Sequence, residues 1–405
     1  MFVAIANTPR GYAWGSTTAI AGLFGTTPSG GPEAELWLGA HAGSPARIVN
    51  PDAVGGSSDL AEWIDAEPTR ALGGHPRLPF LMKVLGASAP LSLQAHPTRA
   101  QALEGFEREN RLGIPLDAPH RNYRDEYPKP EVIFALSESF EALCGFRPIE
   151  EARIVFEAMG LEELIPRLAD LPTLFAWLMA GGDEVAAIIA RVSARAAALP
   201  GGRTNLKEIR TDNGESEAKE ASTDKNSVVL DAMETVRILA EAYPGDAGIV
   251  CALLLNRVTM RRGDALYLPA GNIHAYLSGL AIEVMTASDN VLRGGLTPKN
   301  IDVRELLRVL DFTPGPPPWL LPDSVSPRLD VFRPGNRDFV LAHATGEAEL
   351  DFTGPAIALC TSGSMTLRGA TSTTTLSRGD AVYITPDERR VSLSGTGDVF
   401  IATTP

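Results

Sequence analysis

A chain of 405 residues, 44% hydrophobic and 21% charged, is too long for one ordinary core and too apolar to be disordered, so a folded multidomain protein is expected. Its net charge of −14 argues against a nucleic-acid partner, whose binding depends on clustered Lys and Arg, and any phosphate it takes must meet a local basic pocket. Without a signal-peptide pattern, a membrane-length apolar run or a disulfide framework among Cys144, Cys251 and Cys360, the expectation is a cytoplasmic monomer with no nucleic-acid or membrane partner.

From Met1 to Arg147 short apolar runs punctuated by Gly, Pro and Asn, among them RLPFLMKVL, APLSLQAHP and PEVIFAL, predict strands. Within them Ala100, Leu103 and Phe106 recur at helical spacing, which predicts one helix over Thr98–Arg111 inside an insertion spanning 98–118. Residues 149–199 and again 229–243 are Ala-, Leu- and Glu-rich with an apolar position every three or four residues, so 148–244 reads as a helical subdomain. Residues 201–227 between them are polar, lack an apolar face and predict an exposed, mobile loop. Beyond Pro244 the β-type runs resume, and TPGPPPWLLPD over Thr313–Asp323 predicts a linker to a last β-region rich in Thr, Ser and Gly.

RRGDALYLPAGNIHAYLSG from Arg261 aligns with SRGDAVYITPDERRVSLSG from Ser377 at an offset of 116 residues, which implies two related barrels. Arg390 then stands opposite His274, so the second copy is expected to be metal-free. The implied division is a barrel split between 1–147 and 245–312, the helical subdomain, and a C-terminal barrel over 324–405.

In the first copy Gly263, Pro269 and Gly271 set a turn that leads a strand back and places His274 at its start. That spacing resembles the second motif of the cupin superfamily, in which the histidine is a metal ligand inside a small β-barrel; a hairpin with a surface histidine has the same local pattern. Period-two alternation puts Gln94 and His96 on one strand face, and Glu131 opens an apolar strand after Pro130. Together Gln94, His96, Glu131 and His274 offer two nitrogens and two oxygens, a set suited to Zn²⁺ with positions left for substrate.

Along nearly its whole length the chain resembles the type I phosphomannose isomerases, on YAWGS at Tyr12, AELWLGAH at Ala34, LPFLMKVL at Leu78 and PLSLQAHP at Pro90. The resemblance continues through NYRDEYPKPE at Asn122, FEALCGFRP at Phe140, GDALYLPAGNIHAYLSG at Gly263 and EVMTASDNVLRGGLTPK at Glu283. It implies a mainly β protein, two cupin (jelly-roll-like) barrels plus an α-helical subdomain. It also implies one zinc per chain, held by Gln94, His96, Glu131 and His274, and exchange of mannose 6-phosphate with fructose 6-phosphate that feeds mannose and GDP-mannose metabolism. Arg293 is implied beside the substrate, where a guanidinium stabilises the charge of an enediol-like intermediate. Lys129, Asp289, Glu283 and Lys83 are implied as pocket residues, and which of them moves the proton between C1 and C2 stays open. Ser92 and Lys83 are expected to meet the phosphate and Trp14 to wall the sugar, while Trp37 reads as core and His41 is unassigned. Pro128 stands where many relatives have histidine, which weakens a histidine-base mechanism. A non-catalytic cupin that binds a sugar phosphate is the rival of a different class. A cupin dioxygenase fits less well, because its iron is held by two histidines and one carboxylate.

Overall fold

The structure, a computed structural model, describes residues 1–198 and 225–405. Of the polar loop expected over 201–227, the part up to 224 lies outside the described residues, and Lys225–Ser227 already belong to the helix Lys225–Ala242.

One nine-stranded sheet is organised around the long strand His274–Thr286. Its first residues pair with Gln94–Ala95 and Phe140–Phe146, and its later residues with Phe80–Ala87 on one side and Glu131–Ala135 on the other. Alternation along these strands separates their two faces. Val84, Val132, Phe134, Ile282 and Val284 pack toward the second sheet, where Phe134 meets Phe332 and Phe400 edge-on at 5.4 and 4.9 Å. Leu85, Ile133 and Ala281 face the interior of the first sheet. At the other end Leu93, Ala95, Ala275 and Leu277 enter the core of the helical block, which leaves Gln94 and His274 on the opposite face.

The helical block comprises Ile149–Met159, Leu171–Ala180, Asp183–Ala197 and Lys225–Ala242, close to the expected bounds. No single helix among the described residues is long and apolar enough to cross a membrane. The pair Leu171–Ala180 and Asp183–Ala197 passes such a test only when taken together across a 94° bend. Its apolar side chains, Leu174, Phe175, Ile188 and Val192 among them, are buried in the helical core.

A ten-stranded sheet carries the C-terminal region. The repeat is visible in it: the strands Ala265–Leu268 and His274–Thr286 recur as Ala381–Ile384 and Arg390–Thr403, each starting 116 residues later. Gly263 and Gly379 open the two copies with φ +94° and +93°, a conformation that a side chain would strain. Where the first copy has His274, the second has an exposed Arg390 paired with Asp351 at 3.1 Å.

Several local expectations are corrected. Hydrogen-bonded neighbours trace open paths and not closed rings, with two-residue strands Leu292–Arg293 and Arg47–Ile48 at path ends, where little edge is left to pair. The N-terminal stretch read as strands also contains the helices Ala19–Phe24, Leu60–Ala66 and Pro68–Leu72, too short for a helical period to show. Phe2–Ala6 pairs with Ala381–Ile384, so the first strand of the chain belongs to the C-terminal sheet. The Pro-rich stretch does not hang free, because Tyr267 N–H donates to Pro318 and Leu320 N–H to Ala265, which ties it along Ala265–Leu268.

The inserted helix runs over Arg99–Arg111, as its pattern predicts, closed at its start by a capping box between Thr98 and Gln101. Gly105 on this helix lies against the ring of buried Tyr123, whose hydroxyl donates to Glu305 at 2.7 Å. A Cβ at position 105 would overlap that ring, so Gly105→Ala is expected to cost about 1–3 kcal/mol of overpacking strain, read as a lower midpoint in denaturant unfolding.

Candidate metal centre and active site

The pairing register gathers the chemistry. His274 lies opposite Gln94, Glu283 opposite Lys83, Met285 opposite Glu131, and Arg293 opposite Gln94 on its other side. Ligand atoms of His96, Glu131 and His274 all lie within 4.8 Å of one another, and the three residues are buried. His96 Nε2 is 3.2 Å from Glu131 Oε1, and His274 Nε2 is 3.3 Å from Glu131 Oε2.

The far side of each imidazole is tied to the backbone. His96 Nδ1 lies 2.7 Å from the Asn290 carbonyl and His274 Nδ1 3.0 Å from that of Asn272, which makes Nδ1 the protonated nitrogen in both and leaves the Nε2 lone pairs facing Glu131. His96 Nε2 is buried without an aligned hydrogen-bond partner, the state of a nitrogen built to ligate. Burial first, then the neighbouring Lys129, pushes the His96 imidazole down to about 4, so it is neutral and ready to coordinate near pH 7. Burial alone would raise the Glu131 carboxyl, but Lys129, with Nζ 2.5 Å from Oε1, and the two histidines hold it well below the usual range. A neutral His96 imidazole, the Nε2 of His274 and an ionised Glu131 carboxylate make a donor set that fits Zn²⁺. The Gln94 carboxamide completes the group, with its Nε2 3.3 Å from His274 Nε2. An NH₂ cannot ligate, so a cation here favours the oxygen end.

Behind the carboxylate runs a buried chain of charge. Tyr276 Oη is 3.4 Å from Glu131 Oε2 and donates to Glu283 Oε1 at 2.9 Å, and Lys83 Nζ is 2.8 Å from Glu283 Oε2 and 3.6 Å from Glu35. Burial raises Glu283 while Lys83 opposes it; burial and then Glu283 raise Tyr276. Lys83 is thus engaged with two carboxylates. Trp37 donates Nε1–H to Glu35 at 2.9 Å and lies under Lys83, as a core aromatic. Trp14 is half-buried, stacked on Tyr12 at 5.7 Å and packed against the cluster that contains Tyr276. Ser92 is half-buried, two residues before Gln94.

Asp289 is half-exposed and takes His41 Nε2 at 3.2 Å. Burial would raise its carboxyl, but the His41 hydrogen bond and nearby Lys129 and Arg124 lower it.

A family model described as the phosphomannose isomerase type I catalytic domain matches residues 2–149. The mannose-6-phosphate isomerase of Salmonella typhimurium is 36% identical over 96% of both chains, and that of Escherichia coli likewise. This chain belongs to the type I phosphomannose isomerases. Plants carry relatives as well, since mannose-6-phosphate isomerase 1 of Arabidopsis thaliana is 31% identical over 91% of this chain and 83% of its own. Among solved phosphomannose isomerases, a zinc-bound holo mannose 6-phosphate isomerase superposes with TM-score 0.84 at 33% identity, covering 100% of this chain and 99% of that one. A variant from Salmonella typhimurium matches equally, with TM-score 0.84, 33% identity and the same coverage.

Two cations near Arg293 were not picked out from the sequence. Arg293 is half-buried, and burial and then the charge of Arg124 lower its pKa; Lys299 is lowered by burial, Arg293 and Arg124. Among the described residues none of these three cations has a carboxylate within salt-bridge distance. Arg124 and Lys299 lie inside the quoted motifs NYRDEYPKPE and EVMTASDNVLRGGLTPK, and their local text does not distinguish them from solvated charges. Tyr276 and Glu35 carried no signal beyond strand alternation.

Proposed function

We propose that this chain interconverts D-mannose 6-phosphate and D-fructose 6-phosphate through an enediol(ate), at one zinc held by Gln94, His96, Glu131 and His274, in a catalytic unit formed by 1–147 and 245–312. The observation that carries this reading is the pair of imidazoles, each tied by Nδ1 to a backbone carbonyl and turned by Nε2 toward one buried carboxylate, beside a cluster of unpaired cations. When bound, zinc supplies Lewis-acid polarisation of the substrate oxygens.

Arg124 and Lys299 hold the phosphate dianion, with Ser92 as a hydroxyl donor. Arg293, opposite Gln94, faces the charge that grows on the sugar oxygens as the proton leaves C2. Asp289, kept ionised by His41, takes that proton and returns it to C1, and Lys129 keeps Glu131 deprotonated. Glu283 has both oxygens engaged by Lys83 and Tyr276 and orders the wall of the site. Three buried, unbridged cysteines suit a reducing cytoplasm, in which the chain acts as a monomer in the supply of mannose and GDP-mannose.

Metal-replete protein given mannose 6-phosphate is expected to yield fructose 6-phosphate, to lose that activity on chelation and to regain it with zinc. Tight sugar-phosphate binding with no turnover would leave a non-catalytic binding protein. Solvent tritium is expected in the product, and complete retention of the C2 label would replace the enediol(ate) by a hydride shift.

A further inference from the structure

We infer that Asp125 and Asn290 form a positioning pair that fixes the His96 imidazole for metal and, through the same two loops, sets Arg124 and Asp289 around the substrate. This rests on the proposed function for the identity of the metal site, but its geometry stands apart from it. The carbonyl that takes His96 Nδ1 belongs to Asn290, in an irregular stretch between the strands His274–Thr286 and Leu292–Arg293, where no ladder holds it. What holds it is side-chain bonding to a second irregular stretch that precedes Glu131.

The fully buried Asn290 donates Nδ2–H to the carbonyls of Asp125 and Tyr127, both at 2.8 Å, and accepts at Oδ1 from the N–H of Arg124 at 2.7 Å and of Asp125 at 3.3 Å. Asp125 reciprocates. Its carboxylate accepts from Tyr127 N–H at 3.0 Å, Ser288 Oγ at 2.8 Å and Asp289 N–H at 2.8 Å, and receives Asn290 Nδ2 at 3.1 Å. Each side chain therefore caps the backbone of the other loop, a polar network with every member partnered. On these loops sit His96's acceptor, the proposed base Asp289 and the proposed phosphate cation Arg124. Neither Asp125 nor Asn290 touches the metal ligands through a side chain, so both act by position.

The test is zinc affinity without substrate, measured by competition with a chromogenic chelator, for Asp125→Asn, Asn290→Ala and the double variant. Asp125→Asn keeps the volume but cannot accept every bond that the carboxylate takes, and Asn290→Ala leaves the two carbonyls unmet. Each is expected to weaken zinc 10- to 100-fold, about the range for lost outer-shell partners, and to raise KM for mannose 6-phosphate. The double variant is expected to lose no more than the worse single one, because the two act as a unit. Tyr383→Phe, which removes a buried bond to Ala71 far from the site, serves as the stability control, with zinc affinity unchanged. If both single variants lower the unfolding temperature but bind zinc like the parent, the pair is merely structural and the inference falls. Should Asn290→Ala fail to fold, Asp125→Asn alone decides. If the parent itself binds no zinc that Glu131→Ala removes, it is the proposed function that fails.

Discussion

Glu131→Ala is expected to remove bound zinc and turnover together. The carboxylate is the one group that both histidines face, at 3.2 and 3.3 Å, and it neutralises the Lys129 ammonium at 2.5 Å. Truncation leaves two imidazoles and a buried, unpaired cation, a field that repels a divalent ion. Turnover is expected to fall by about 10³-fold or more, since several kcal/mol of charge stabilisation leave with the ion at about 1.4 kcal/mol per tenfold. The metal-free fold is expected to lose about 3–5 kcal/mol, the scale for stripping one partner from a buried ion pair. Elemental analysis of the purified variant beside a coupled assay checks this, and one equivalent of zinc retained in the variant would place the metal elsewhere.

The second large effect is expected at Arg293. Its backbone is paired with that of the proposed ligand Gln94, and among the described residues no carboxylate lies within salt-bridge distance of its guanidinium. A donor aimed at charge that exists only in the transition state contributes to kcat more than to KM. Arg293→Ala is expected to lower kcat by about 10²–10³-fold with zinc content unchanged. Arg293→Lys is expected to recover only part of that, because a point charge does not reproduce the fork. A variant with normal kcat and a raised KM would move Arg293 from the reacting oxygens to the phosphate.

The strand positions of several candidate ligands were legible because their signals are local. The turn around Gly263 to Gly271 places His274 at a strand start and Pro130 places Glu131 at another, as the structure has them, while the strand that carries Gln94 ends at Ala95, one residue before His96. The two carboxylate partners of Lys83 were not legible, since Glu35 and Glu283 lie 48 and 200 residues away in sequence and meet it only through sheet register. Arg124 and Lys299 were overlooked for the same reason, as a cation's lack of partners is a property of its surroundings.

Sequence alone determined the family, the helical block, the inserted helix and the 116-residue repeat, because periodicity, caps and turn glycines act over a few residues. Only the tertiary structure decided how the long strand presents its chemistry. His274 and Glu283 are nine residues apart, and strict alternation would put them on opposite faces. The pairing slips between Tyr276 and Ser278, next to Gly279 at φ +123°, and Tyr276 consequently reaches Glu283 at 2.9 Å across an odd spacing. That slip is set by packing against Phe140–Phe146, more than 120 residues earlier in the chain, and a pattern read along one strand does not contain it.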